Sequence, residues 1–190
     1  MNTLILASQS PRRKQLLEQV NLSFSIEPSI VEEQMNKEDT PEEIVVSLAH
    51  QKAYDVFSRF PHNVVLGADT IVVIDNQILG KPQNEKEAKE MLQRLSGRTH
   101  QVFTGVSIIS EERTESFYVR SDVTFFTLTE EEISAYLRTK DSMDKAGAYG
   151  IQGIGATLVE RIDGDFFAIM GLPIAKVVRI LEKFHIKSDH

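Results

Sequence analysis

The chain has 190 residues, 41% hydrophobic and 26% charged, enough for one sizeable domain, or two small lobes around a cleft, with a real core. A formal charge of −7 argues against broad binding of a nucleic-acid polymer, and zero cysteines exclude disulfides, thiolate catalysis and Cys-type zinc sites. No signal-peptide pattern and no apolar run near the roughly 18 residues of a membrane span is visible, so the expected compartment is the cytoplasm, with no membrane partner.

Strands and helices alternate through the first half. An apolar run predicts a strand at 4–7. Ser10 then offers an N-cap and Pro11 suits the first helical position, with Leu16, Leu17 and Val20 at helical spacing to about residue 20. An extended piece follows near 23–29. Thr40-Pro-Glu-Glu43 reads as a capping box opening a helix to about Phe60. "VVLGADTIVVIDNQILG" reads as a buried strand, a turn at Asp75-Asn76-Gln77 and a short return strand. Asn84 and Glu87 start the next helix, which Ser96-Gly97 ends. Two β-branched runs, 101–110 and 116–128, predict an antiparallel pair, and Thr129 with Glu132 caps another helix. After a glycine-rich stretch at 144–156, "TLVERIDGDFFAIMG" predicts a hairpin turning at Asp163-Gly164. A last helix is expected from about Pro173 to Phe184. The mixture predicts an α/β fold with a mixed, twisted sheet flanked by helices and no clean domain boundary.

Some residues do not fit a plain structural role. Arg12, Arg13 and Lys14 crowd the positive end of the first helix, where each cation costs about 0.3–1 kcal/mol at a surface. A solvated basic turn is one explanation. An anion site, in which free N–H groups and arginine forks converge on a phosphate, is the favoured one. Lys52 lies within the apolar stripe Val45, Leu48, Ala49, Ala53, Val56, Phe57 and Phe60; it either snorkels to the surface or reaches an anion in a cleft. Asp69 interrupts an apolar strand beside Gly67 and Ala68. A carboxylate there needs a cation, a metal or several hydrogen bonds, as a structural ion pair, a metal ligand or a catalytic acid/base. Lys81 stands between Gly80 and Pro82, which holds it extended. "DKAGAYGIQGIG" is neither a Walker loop nor a dinucleotide fingerprint, but its glycines allow backbone to pack against a flat ligand. The five histidines form no metal-spaced cluster.

In order along the chain, "LASQSPRRKQLL", "GADTIVV", "LGKP", "MLQRLSGRTHQV", "DKAGAYGIQG" and "MGLP" resemble the Maf family over nearly the whole length. The resemblance implies a single Maf/ITPase-like domain over 1–190, its strongly twisted sheet forming two lobes around a nucleotide-binding cleft. It also implies hydrolysis of nucleoside triphosphates to monophosphate and pyrophosphate with a divalent metal. "GADT" and "YGIQG" are similar to the branch acting on dTTP and UTP. On this chain the family's proton acceptor falls on Asp69 and its specificity positions on Arg12, Thr70 and Gln152. Ser8, Arg13, Glu33, Lys52 and Lys81 match positions in the same pocket. Triphosphate charge would balance the cations at 12, 13, 52 and 81. Glu33 and Asp69 beside it would need a metal between, and hard oxygen ligands suit Mg²⁺ or Mn²⁺. A homodimer is the family's usual state. The family's link to septum formation implies a rival, a non-catalytic nucleotide-binding regulator of cell division. The Gln152 amide, a donor and an acceptor together, can pair with O4 and N3–H of uracil or thymine. A flipped amide reads cytosine, so discrimination needs neighbours that fix its orientation.

Overall fold

The computed structural model describes residues 3–36 and 38–188. Its elements are β1 (Leu4–Leu6), α1 (Pro11–Gln19), β2 (Phe24–Ile26), α2 (Pro41–Arg59), β3 (Val64–Ile74), β4 (Gln77–Leu79), α3 (Glu85–Leu95), β5 (Thr99–Ile109), β6 (Thr114–Phe125), α4 (Glu130–Arg138), β7 (Val159–Asp163), α5 (Phe166–Met170) and α6 (Ile174–Leu181). Short 3₁₀ turns occupy Ala146–Ala148, Gly153–Leu158 and Glu182–Phe184. Seven strands make one mixed sheet in the order β2-β1-β3-β5-β6-β7, with β4 beside β3. β1 runs parallel to β2 and β3, whereas β4 is antiparallel to β3 and β7 antiparallel to β6. Helices flank this sheet, the expected α/β arrangement.

The helices begin where the capping residues say they should. Ser10 Oγ accepts from the Arg13 N–H at 3.4 Å, with Pro11 in the first turn of α1. Thr40 and Glu43 close a reciprocal capping box on α2, and Thr129 and Glu132 close one on α4. Asn84 Oδ1 caps α3 by accepting from the Glu87 N–H at 2.9 Å.

Two sequence expectations need correction. The turn after β3 is shorter than expected. Asp75 and Asn76 alone take positive φ (51° and 57°), and Gln77 already pairs with Ile74. Two left-handed residues match the twist of the strands they join. The hairpin expected at Asp163-Gly164 has only its first arm, β7, which pairs with β6. Its second arm is α5, because Asp165 Oδ1 accepts from the N–H groups of Phe167 (2.8 Å) and Ala168 (3.1 Å), a helix cap in effect.

The chain divides into two compact units. The first comprises Met1–Asp69, Thr104–Val119 and Gly171–His190. One of its cores joins Ile5, Ala7, Ala53, Val56, Val65 and Ile109. Here α2 packs backbone to backbone on the sheet: a Cβ at Gly67 would lie 2.5 Å from Ala49 O, and one at Gly105 2.1 Å from Val45 O. The second unit comprises Thr70–Phe103 and Arg120–Met170. Its core includes Val72, Leu92, Leu95, Phe125, Ile133 and Tyr149.

Candidate active site

In the first unit the strand–turn–helix at the start of the chain builds an arginine clamp. Ser10 N–H donates to Ser8 Oγ at 3.2 Å, tightening the turn after β1. Arg13 folds inward, donating through Nε to Gly171 O (2.8 Å) and through Nη1 to Ser8 Oγ (3.3 Å). Burial lowers the pKa of Arg13 and the neighbouring Arg12 lowers it further, while Asp69 and Glu33 pull it back up. A guanidinium stays charged through such shifts. Arg12, Arg13, Glu33 and Asp69 therefore share one electrostatic neighbourhood.

Lys52 decides between the alternatives the sequence leaves open. Its ammonium does not snorkel: Nζ donates to Asp69 Oδ1 and lies 2.9 Å from Glu33 Oε1. The Lys52 and Asp69 side chains keep only 17% and 14% of their exposure, against 46% for Glu33. The structural ion pair considered for Asp69 is thus present, inside a three-member charge cluster. Gly67 makes it possible. Residues 67 and 69 share a face of β3, and the missing side chain at 67 lets α2 descend until Lys52 reaches Asp69.

Glu33 lies on an irregular segment that α2 ties down, a feature that sequence reasoning missed. Asp55 Oδ2 accepts from the Ile30 N–H (2.9 Å) and the Ser29 hydroxyl (3.0 Å). Gln51 exchanges hydrogen bonds with the backbone of Gln34 at 2.8 and 2.9 Å, and Arg59 donates to Pro28 O at 2.9 Å. Gln51, Asp55 and Arg59 recur every fourth residue, so one polar face of α2 was legible as a docking strip. Desolvation pushes the Asp55 carboxyl up, but the Ile30 and Ser29 donors and Arg59 outweigh it and hold it below the usual range.

The second unit carries the other three predicted residues. Thr70 follows Asp69 in β3, its side chain alternating to the opposite face. Lys81 is exposed just past β4, and Gly80 O before it accepts from Gly147 N–H at 3.1 Å, tying that loop to the glycine-rich segment. Gln152 is half-buried at the entrance to a 3₁₀ turn and makes no side-chain capping bond.

Among the described residues no three His, Cys, Asp or Glu side chains are grouped to hold a metal. Glu33 and Asp69 do bring two carboxylates to one point, where Lys52 Nζ meets both. That donor set fits a small hard cation completed by phosphate and water oxygens, and does not fit an all-protein cage.

A family model described as Maf-like protein matches residues 3–184. The chain belongs to the Maf family. Similar Maf-family proteins are the dTTP/UTP pyrophosphatases of Bacillus pumilus (strain SAFR-032), 56% identical over 98% of both chains, and of Bacillus cereus (strain G9842), 55% identical over the whole of both. The dTTP/UTP pyrophosphatase of Bacillus mycoides (strain KBAB4) is 55% identical over the same span. No helix among the described residues of this Maf chain is long and apolar enough to cross a membrane.

Proposed function

We infer that this protein hydrolyses nucleoside triphosphates, dTTP and UTP in preference, to nucleoside monophosphate and pyrophosphate. Relatives of that name match it over essentially their full length. The observation that carries the site is the meeting of Glu33, Lys52 and Asp69 at one ammonium, in the unit that also holds the Arg13–Ser8 clamp. Carboxylates turned toward a phosphate site do not help a plain anion binder, so their presence favours hydrolysis over the regulatory reading.

In this proposal Asp69 holds a water in line with the α-phosphorus and takes its proton. Lys52 leaves its carboxylates to share a phosphate oxygen, while Arg12, Arg13 and Lys81 engage the β- and γ-phosphates, and Ser8 donates to the same group. Positioning and neutralisation supply most of the rate in such transfers. Glu33 and Asp69 would hold a divalent cation, Mg²⁺ or Mn²⁺, that neutralises charge on the departing pyrophosphate. Thr70 and Gln152 would contact the base. Residues 1–190 would act as one catalytic domain in the cytoplasm, where these nucleotides are made.

The test is direct. Purified protein is incubated with dTTP, UTP, CTP, GTP and ATP in Mg²⁺ or Mn²⁺, and monophosphate and pyrophosphate are quantified. Equimolar release of the two from dTTP and UTP is expected. Release of inorganic phosphate and diphosphate would overturn attack at the α-phosphorus, and saturable binding without turnover would favour the regulator.

A further inference from the structure

The glycine-rich loop that carries Gln152 is held by polar groups that no step above uses, all within the second unit. His100, fully buried, shares a 2.6 Å hydrogen bond between its Nε2 and the Tyr149 Oη. Both rings stack edge-on with each other and with Phe125, at centroid separations of 4.7–5.3 Å. One residue on, the Gly150 N–H donates to the Tyr136 hydroxyl at 3.0 Å. The loop then closes on itself: a Cβ at Gly155 would lie 1.9 Å from Gly150 O and 3.3 Å from the same Tyr136 hydroxyl. Gln152 sits inside that ring.

Stability does not explain the His100–Tyr149 pair. A neutral imidazole and a phenol bring two protons to one hydrogen bond, and His100 Nδ1 has no partner among the described residues. If the phenol donates, Nδ1–H is left unpaired. If Nε2–H donates, Nδ1 is an unpaired acceptor. Either arrangement buries an unsatisfied group, whereas two apolar rings of the same shape would not. Just before Tyr149, Ala148 is buried with φ of 61°, a left-handed conformation that a side chain resists and that persists only where the surroundings over-determine it. A competing packing that parts the two rings would leave both polar groups buried and unpaired, so the pair favours the one arrangement in which its hydrogen bond forms.

We propose that His100, Tyr149 and Tyr136 are positioning residues for base recognition, fixing the backbone of 149–155 so that the Gln152 amide presents one orientation. This rests on the assignment of Gln152 to the base: a backbone held in one place lowers the cost of keeping the amide in the one orientation that pairs with thymine or uracil and not with cytosine.

The experiment compares Tyr149→Phe and Tyr136→Phe, which delete one hydroxyl each and keep the rings, with Gln152→Ala and wild type. Specificity constants for dTTP and CTP are measured beside amide hydrogen exchange of residues 150–155. In both Phe variants the dTTP:CTP ratio should fall by about three- to tenfold, the worth of one ordinary hydrogen bond, through KM rather than kcat. Exchange at 150–155 should quicken, with the melting temperature of Tyr149→Phe unchanged or raised. Unchanged ratio and exchange in both Phe variants, with an eroded ratio in Gln152→Ala, would overturn the positioning role while leaving the base reading intact. Equal losses on both nucleotides, tracking a lower melting temperature, would mark a merely structural role and overturn it too. If Gln152→Ala leaves the ratio untouched, the base assignment is what fails, and with it the proposal that the ring serves recognition.

Discussion

Two polar clusters sit in apolar surroundings, one in each unit, and they are built on opposite rules. In the first unit Lys52, Glu33 and Asp69 keep formal charges, partly open to water and paired with one another. In the second, His100 and Tyr149 are dry and uncharged: burial pulls the histidine pKa down to about 4, against a small upward pull from Asp122, and pushes the tyrosine up. Charge is affordable only where solvent or a counter-ion compensates it. The groups proposed to meet a phosphate therefore gather at a partly wet surface, and the groups proposed to hold a shape are neutral and sealed.

The sharpest break of this comparison is Asp69→Asn, which keeps the shape of the charged cluster and removes its charge. Turnover of dTTP should fall about 10²–10⁴-fold, the usual worth of a positioned base, with the circular dichroism spectrum unchanged. Residual activity above about a tenth of wild type would exclude Asp69 as the proton acceptor, because a general base supplies more than that.

The neutral cluster is tested by acid. His100 titrates at 6.5 when unfolded and near 4 when folded, so between these values the unfolded chain binds more protons and stability rises with pH. Its contribution is complete above about pH 6.5 and is lost as pH falls toward 4, a total of about 3 kcal/mol. Asp55, held below 3.8, loses its contribution only in more acid solution, which separates the two effects. Denaturant midpoints measured from pH 7 to 4 should slope in wild type and flatten in His100→Phe. Parallel curves would mean that His100 takes up its proton at the same pH in the folded chain as in the unfolded one.

Gly67→Ala probes how the charged cluster is held. The added Cβ meets α2 backbone at 2.5 Å, so the helix must lift, at a typical overpacking cost of about 1–3 kcal/mol. Lys52 then draws away from Asp69, and dTTP turnover should fall together with the denaturant midpoint. A destabilised variant with full activity would show that the Lys52–Asp69 spacing is not critical.

The two clusters also differ in how plainly the sequence shows them. Lys52 and Asp69 each break an apolar pattern, so the order of residues alone makes both conspicuous. Capping boxes announce α2 and α4 in the same way. Glu33 does not stand out, since a carboxylate on an irregular segment looks solvated until the Gln51–Asp55–Arg59 strip is seen to hold that segment. His100 is concealed for another reason: one histidine in a strand has no local partner, and Tyr149 is 49 residues away. The missed α5 has the same origin. A strand-like apolar run follows Asp163-Gly164, and only the Asp165 carboxylate, capping two N–H groups, turns it into a helix.

The finest contrast is chemical, between the residues proposed to bind any triphosphate and the one proposed to read its base. Gln152→Ala should leave the charged cluster untouched and change the order of substrates more than the rate with a poor one. Deleting one neutral amide removes about 0.5–1.5 kcal/mol per hydrogen bond, roughly three- to tenfold in specificity constant. That loss should fall on dTTP and UTP, whose O4 and N3–H would meet the amide in this proposal, and spare GTP and ATP, whose edges it would not match. Lys52→Ala should behave oppositely, lowering all five triphosphates together, because a phosphate oxygen is the same in each. Specificity constants for dTTP, UTP, CTP, GTP and ATP on both variants give the comparison. A uniform loss in Gln152→Ala would place that amide against the phosphates or sugar rather than the base, and a base-dependent loss in Lys52→Ala would remove the ammonium from the phosphate site.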